Sequence, residues 1–109
     1  MILANHTIVH QRQLASKMRL SIGTEAYLFE GTTITVKCPV QNFKKSEVVW
    51  QRGQSPIPTD NRRMKVVNGG TLRIRHVKRE DSGVYACIAG SARETFTLHI
   101  SRKRKILLL

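Results

Sequence analysis

The stretch Asp81-Ser82-Gly83-Val84-Tyr85-Ala86-Cys87 decides the fold of this chain. Aspartate, serine and glycine favour tight turns, because the first two hydrogen-bond to nearby backbone and glycine tolerates positive φ. The residues that follow the turn, 84–89, have a period of two and are rich in β-forming side chains. The stretch therefore predicts a turn that leads directly into a strand, with Tyr85 and Cys87 on the same face.

Segments with the same period of two lie on both sides of this strand, between residues 22 and 101. In one of them Ile34, Val36 and Cys38 face one way, and the residues between them face the other. The predicted strands are 27–29, 32–38, 47–52, 64–67, 71–77, 84–89 and 95–100. Several short strands with turns about every 8 to 12 residues are typical of an antiparallel sandwich. The pattern therefore predicts an all-β fold of two packed sheets.

Two cysteines and the single tryptophan stand at a characteristic spacing around the first stretch. Trp50 lies 12 residues after Cys38, and the run Asp81-x-Gly83-x-Tyr85-x-Cys87 follows. Together with the run Leu72-x-Ile74-x-x-Val77, these residues resemble the immunoglobulin superfamily, and within it the I-set. The resemblance covers 22–101 and implies an immunoglobulin-like, two-sheet antiparallel Greek-key sandwich. One departure is that the Gly-Pro pair often found between the first cysteine and the tryptophan is missing.

The resemblance assigns a structural task to each residue of these motifs. It implies a disulfide between Cys38 and Cys87, with Trp50 packed against it. It also implies that the Tyr85 hydroxyl turns back to the chain near Asp81, and that Asp81 pairs with Arg63. The expected core signature is Trp50, Leu72, Asp81, Gly83 and Tyr85.

The cellular compartment decides whether such a disulfide forms, because cytosolic thiols stay reduced and I-set domains also occur in intracellular muscle proteins. The triplet Asn5-His6-Thr7 is an N-glycosylation sequon, which makes Asn5 a candidate glycosylation site. The sequon, the charge and the cysteine pair favour an extracellular location. By overall similarity the chain resembles the immunoglobulin domains of secreted matrix glycoproteins of the ADAMTS-like (punctin) group.

The chain divides into three parts by pattern. Residues 1–21 lack a clear period and predict a linker or disordered segment, 22–101 predict the immunoglobulin domain, and 102–109 form a basic and apolar tail. The apolar run 106–109 is far shorter than the roughly 20 residues that span a bilayer. We therefore expect no membrane span, and we interpret the chain as a fragment of a longer protein or an isoform without its leader.

The formal net charge of +12 is unevenly distributed. Residues 22–101 hold 12 Lys and Arg against 7 Asp and Glu, whereas the flanks hold 7 basic residues and no acidic ones. Alternation places Thr35, Lys37, Arg73 and Arg75 on one outer face, joined by Lys65. Such a face suits a heparin-like glycosaminoglycan, because clustered cations release the counterions of a polyanion. The polyanion-binding candidates are Lys37, Arg73, Arg75, Lys78, Arg79, Arg102, Lys103, Arg104 and Lys105.

Nucleic acid is the competing polyanion. Base stacking needs exposed aromatic side chains among the basic ones, and the chain has only six aromatic residues. At least three of them are expected in the core, and none is interleaved with the basic residues. We therefore expect no nucleic acid partner.

The opposite outer face is predicted to carry no formal charge. The partner-face candidates, placed outward by alternation, are Val49, Gln51, Ala86, Ile88 and Thr97. Exposed apolar groups rimmed by polar ones often mark protein interfaces, so we expect this face to contact a protein partner. The alternative is that these residues are scattered β-formers without a role, or are covered by a neighbouring domain.

No catalytic motif accompanies the fold pattern. The sequence has no G-x-S-x-G, Walker or G-x-G-x-x-G motif and no C-x-x-C pair, so we expect no enzyme activity, cofactor or metal site. The sequence predicts a non-catalytic binding module of a modular extracellular or matrix protein, with a role in protein–protein adhesion and glycosaminoglycan retention. The alternatives are a structural spacer without its own ligand and an intracellular, sarcomeric-type scaffold module.

Overall fold

The computed structural model describes residues 7–12, 16–39, 48–58, 62–67 and 70–102. The strands within these ranges are β1 Thr7–His10, β2 Lys17–Leu20, β3 Thr24–Phe29, β4 Thr33–Val36, β5 Val49–Arg52, β6 Ser55–Pro56, β7 Met64–Val67, β8 Thr71–Ile74, β9 Gly83–Ala89 and β10 Ala92–Ser101. A 3₁₀ turn, Arg79–Asp81, precedes β9. Each predicted strand coincides with one of these elements, with ends that differ by up to three residues.

The strands form two sheets that pack face to face. The six-stranded sheet has the order β1-β3-β10-β9-β5-β6, and the four-stranded sheet has the order β2-β4-β8-β7. At their centres, β9 pairs antiparallel with β10 and β5, and β8 pairs antiparallel with β4 and β7. Three other pairs are parallel, namely β1 with β3, β10 with β3 and β2 with β4. The all-β, two-sheet sandwich is confirmed, but not every pairing in it is antiparallel.

The segment before residue 22 differs from the predicted linker. It contributes β1 to the edge of one sheet and β2 to the edge of the other. Gln11, just after β1, is buried, and its side-chain carbonyl accepts the Phe29 N–H at 2.9 Å while its amide donates to the Thr32 hydroxyl at 3.1 Å. β4 and β8 are equally short, but each lies in a longer predicted run, 32–38 and 71–77. No such run was predicted around β1 or β2, and it is their pairing with β3 and β4 that makes them strands.

The core lies between the sheets around the Cys38–Cys87 disulfide, whose Cα atoms are 6.0 Å apart. Trp50 is buried beside it, and the indole N–H donates to the Gly70 carbonyl at 2.8 Å, so its polar atom is satisfied. The Phe96 ring meets Trp50 edge-on with ring centroids 6.0 Å apart. The two cysteines are separated by 49 positions in the sequence, and for a closed loop of that size the chain-entropy model gives a stabilisation of about 4 kcal/mol.

The buried carboxylate of Asp81 ties the two sheets together. It accepts two hydrogen bonds from the Arg63 guanidinium, at 2.7 and 2.9 Å, and one from the Lys78 backbone N–H at 2.8 Å. The Tyr85 hydroxyl donates to the Asp81 carbonyl oxygen at 2.6 Å, as the resemblance implies. Burial opposes ionisation of Asp81, but the bonds from Arg63 and Lys78 outweigh it, so the pKa of Asp81 lies below its ordinary value.

Gly83, the first residue of β9, has a φ of 145°, a backbone conformation that residues with a side chain rarely adopt. A Cβ atom built there would lie 3.7 Å from the Arg52 Nε, which is an ordinary van der Waals contact. The position therefore requires glycine for its backbone angle rather than for lack of space. This accounts for the glycine of the deciding stretch, which lets the chain turn from the 3₁₀ segment into the sheet.

Replacing the Asp81 carboxylate should destabilise the domain without reshaping it. We expect Asp81→Asn to lower the free energy of unfolding by about 2 kcal/mol at pH 7, because it leaves the Arg63 charge poorly paired. The matched control Glu80→Gln, an exposed neighbour in the same turn, should change it by less than about 0.5 kcal/mol. Urea unfolding followed by tryptophan fluorescence measures both, and equal free energies for the two variants would contradict this role of Asp81.

The ion pair between Asp81 and Arg63 also predicts that the free energy of unfolding depends on pH in the acidic range. Because the folded-state pKa of Asp81 is lowered from 3.8, its contribution is present above that ordinary value and is lost as the pH falls through the folded-state pKa. The difference in unfolding free energy between the unaltered chain and Asp81→Asn should therefore shrink as the pH is lowered from 5 to 2. A constant difference across that range would show that ionisation of Asp81 does not contribute.

Tyr85 predicts a second pH dependence, at the alkaline end. Burial raises the pKa of Tyr85 from 10.0 to about 12. The neutral hydroxyl therefore contributes stability that is fully present below pH 10 and is lost between pH 10 and 12. Tyr85→Phe should cost about 1 kcal/mol at pH 7, where it removes the bond to Asp81, and should lose less stability than the unaltered chain on alkalinisation. Parallel loss in both proteins between pH 9 and 12 would refute this account.

Candidate binding surfaces

The outer face of the four-stranded sheet holds a groove of about 930 Å³. The cationic side chains that line it are Lys17, Arg19, Lys37, Arg73 and Arg75, and His76 lines it as well. Thr33, Thr35 and Thr71 add hydroxyl groups, and no acidic residue lies among the described lining. The groove is therefore a concave surface of one charge sign with hydrogen-bonding groups in its floor.

Strand register explains how these cations come together. Arg19 on β2, Thr35 on β4, Arg73 on β8 and Lys65 on β7 lie opposite one another in a single row across all four strands. Lys17 is opposite Thr33 in the same parallel pair, so it lies on the same outer side. Because side chains alternate along a strand, the apolar residues between these cations are directed towards the core, although Met18, Leu20 and Val67 also contribute to the lining of the groove.

Arg73 lies at the centre of this row, and its environment is unusual for a cation. The Nε atom of its guanidinium is buried and has no hydrogen-bond partner within the part of the chain that the structure describes. Its direct cross-strand neighbour on β7 is another cation, Lys65. Both features oppose folding, because unpaired buried donors and like charges in opposite positions are destabilising.

The structure places only some of the predicted polyanion-binding residues in the groove. Lys37, Arg73 and Arg75 line the groove, but Lys78 and Arg79 do not. Lys78 flanks the 3₁₀ turn, and the Arg79 side chain lies 3.5 Å from the Glu30 carboxylate. Arg102 follows the end of β10 in the other sheet, and residues 103–105 lie outside the described residues.

Sequence reasoning missed Lys17, Arg19 and His76 as members of the basic face. The first two belong to the segment that was predicted to be a linker. The signal was present in Lys17-Met18-Arg19-Leu20, which alternates basic and apolar residues, but one such alternation over four residues is weak. His76 has a φ of 51°, so it leaves the strand pattern at the end of β8 and alternation did not place it.

The outer face of the six-stranded sheet is the second candidate surface. The exposed large hydrophobic residues within the described ranges are Ile8, Tyr27, Val49 and Val84, with 37 to 55% of each exposed. Each lies next to a strand residue that packs into the core, so alternation directs all four to this one face. Within the described ranges, the exposed large hydrophobic side chains therefore lie together on this face.

Two expectations for this face were wrong. Ala86 is only 1% exposed, because its short side chain lies mid-sheet between Gln51 and Thr95, and Arg93 reaches over to hydrogen-bond Gln51 at 3.3 Å. The face is also not free of charge, since Arg93 and Glu25 both lie on it. Among the other partner-face candidates, Val49 is exposed, and Gln51, Ile88 and Thr97 are partly buried.

Three rings stack across β1, β3 and β10 on this face. His10 and Tyr27 have ring centroids 4.7 Å apart, and Tyr27 and His99 have centroids 4.3 Å apart, and in each pair the ring planes are nearly parallel, at 11°. The Glu25 carboxylate lies 2.7 Å from the His99 Nε2 and accepts the Tyr27 hydroxyl at 3.3 Å. Desolvation and then this neighbouring carboxylate raise the pKa of Tyr27.

The described residues also set limits on other kinds of site. They include no group of three or more His, Cys, Asp or Glu side chains that could hold a metal ion. In those same ranges the structure has no helix long and apolar enough to cross a membrane. What the two faces offer is cations and hydroxyl groups on one side, and apolar and aromatic groups on the other.

This sandwich, with its disulfide and buried tryptophan, is similar to known proteins. A family model described as "Immunoglobulin domain" matches residues 18–91. The chain belongs to the immunoglobulin domain family. The match starts inside β2, which agrees with the place of that strand in the sandwich.

Three similar proteins illustrate the range of this family. Human ADAMTS-like protein 3 is 35% identical over 99 residues, which cover 91% of this chain and 6% of that protein. The cell adhesion molecule Dscam1 of Drosophila melanogaster is 40% identical over 60 residues, which cover 54% of this chain and 3% of that protein. The solution structure of the Ig-like domain of human Leucine-rich repeat-containing protein 4 has a TM-score of 0.59 at 27% identity, and covers 75% of this chain and 84% of that one.

The expected similarity to ADAMTS-like proteins is thus confirmed. This immunoglobulin domain spans less than a tenth of the ADAMTS-like and Dscam1 relatives that it matches. The properties of those whole proteins therefore do not transfer to the domain by similarity alone.

Proposed function

We propose that this domain is a non-catalytic binding module of a modular extracellular or matrix protein, and that it mediates protein–protein adhesion. The observation that carries the proposal is the gathering of Ile8, Tyr27, Val49 and Val84 on the outer face of the six-stranded sheet. Apolar groups concentrated on one face and rimmed by polar ones mark interaction surfaces more often than scattered ones do. The similarity to an adhesion molecule, Dscam1, supports the same proposal.

An extracellular location is part of the proposal. The paired Cys38 and Cys87 support it, because disulfides persist in oxidising compartments and are rare in the cytosol. Asn5, the candidate glycosylation site, lies outside the described residues. A mass shift on glycosidase treatment of the secreted chain, absent from Asn5→Gln, would support the extracellular proposal, and two free thiols in the purified native protein would contradict it.

The proposal also includes retention by a sulfated glycosaminoglycan on the opposite, basic sheet. The alternatives remain a structural spacer without its own ligand and an intracellular, sarcomeric-type scaffold module. A spacer needs neither face, whereas the proposed module loses binding when the corresponding face is altered.

Changing the apolar face should abolish protein-dependent adhesion. We expect fluorescent tetramers of the unaltered chain to bind cells whose heparan sulfate has been removed, and Val49→Gln/Val84→Gln tetramers to bind at least about tenfold less. The substitutions leave the net charge unchanged, so a loss reflects the apolar contacts. Flow cytometry before and after protease treatment of the cells measures the protein-dependent part.

The matched control is Ser55→Gln, an exposed position on the same sheet opposite Arg52. It adds the same amide group away from the apolar face and should bind like the unaltered chain. If binding is insensitive to protease, or if the Val49→Gln/Val84→Gln variant binds as well as the control, the spacer alternative replaces the adhesion proposal.

A further inference from the structure

The groove on the four-stranded sheet has features that the fold does not require. Its central guanidinium, on Arg73, has a buried Nε without a partner in the described protein and a second cation, Lys65, directly opposite. Strands β2, β4, β7 and β8, which form the sheet, contain no acidic residue. The cost of this arrangement is therefore not offset by an ion pair within the sheet.

The cations are spread over the length and width of the groove, which indicates an extended ligand rather than a single small anion. The row from Arg19 through Arg73 to Lys65 crosses three strand spacings, which is about 14 Å. Lys17 and Arg75 also line the groove, so charge spreads along the strands as well as across them. The volume of about 930 Å³ lies near the upper end of the roughly 300 to 1,000 Å³ typical of ligand sites.

The residues in the floor of the groove favour a sulfated sugar polymer over a nucleic acid. Thr33, Thr35 and Thr71 can donate hydrogen bonds to sulfate oxygens and accept them from sugar hydroxyls. Among the described lining residues no Phe, Tyr or Trp is present, and single-stranded nucleic acid binds largely by stacking its bases on such rings. Guanidinium forks such as those of Arg19 and Arg73 match the geometry of paired anionic oxygens.

We infer that this groove binds a segment of a sulfated glycosaminoglycan, with Arg73 at its centre and Lys17 and Arg19 supplied by β2. The inference deepens the glycosaminoglycan part of the proposed function, because it locates that binding in the groove. It assigns no part of the binding to Lys78, Arg79 or the residues after β10. Bound sulfate groups would neutralise the cations that the sheet itself leaves uncompensated.

Two triple variants of the full chain test this location. Lys17→Gln/Arg19→Gln/Arg73→Gln alters the groove, whereas Lys78→Gln/Arg79→Gln/Arg102→Gln alters basic residues outside it. Each variant removes three charges, so both take the formal net charge from +12 to 12 − 3 = +9. Any difference in binding between them therefore reports position rather than total charge.

Heparin affinity is measured by surface plasmon resonance from 0.1 to 1 M salt. Each lost ionic contact should reduce the slope of log affinity against log salt by about 0.7 to 0.9. Three lost contacts then correspond to about a hundredfold weaker binding at 0.15 M salt for the groove variant. The control variant should change by no more than about threefold.

A further variant distinguishes a loss of heparin binding from a loss of folding. The double variant Lys17→Gln/Arg19→Gln changes only exposed residues of β2 and leaves the half-buried Arg73 in place. It should retain the native circular dichroism spectrum and still lose about 20- to 30-fold in heparin affinity at 0.15 M salt. Arg73→Lys, which keeps the charge but not the planar fork, should bind more tightly than Arg73→Gln and more weakly than the unaltered chain.

The outcomes separate the inference from the broader proposal. If heparin binding is weak at 0.15 M salt for every protein, the glycosaminoglycan part of the proposed function fails. If binding is strong but falls equally in both triple variants, or only in the control, glycosaminoglycan retention stands and the groove is the wrong site. If desulfated heparin binds as tightly as heparin, or single-stranded DNA of equal charge binds more tightly, the assigned ligand class is overturned.

Discussion

The carboxylate of Asp81 is the constraint on which the rest of the sandwich depends. Its bonds with Arg63 hold the segment that leads into the four-stranded sheet, and its own backbone forms the turn that starts β9 in the six-stranded sheet. The Tyr85 hydroxyl donates to the Asp81 carbonyl oxygen and so ties β9 to the same turn. Since β9 pairs with β10 and β5 and carries Cys87, the stability that Asp81 contributes at this turn supports both pairings and the disulfide.

The core was predictable from the sequence because its determinants are local patterns. Alternation in β4, β8 and β9, together with the spacing of Cys38, Trp50 and Cys87, was sufficient to predict two sheets and their inner faces. β1 and β2 were not predicted in this way, because no long alternating run was recognised in their segment and they are held by the strands with which they pair. Among the cations that line the groove, Lys37, Arg73 and Arg75 followed from alternation, whereas Lys17 and Arg19 depended on tertiary pairing.

The two outer faces differ because the fold places no demand on either. Among the described residues, the large buried apolar side chains, such as Ile34, Leu72 and Leu98, lie between the sheets. Outward positions can then collect cations on one sheet and apolar or aromatic groups on the other at modest cost to stability. Burial of Ala86 shows the limit of alternation as a guide, since an outward side chain can still be covered by longer neighbours in mid-sheet.

The parallel pairing of β1, β3 and β10 has a mechanical consequence. β1 and β10 run in the same direction on either side of β3, so tension applied through the residues before β1 and after β10 pulls them in opposite senses along their own axes. Force of that kind loads the ladder hydrogen bonds in shear, and several must break together before either strand slides. A domain built in this way resists stretching between its first and last strands.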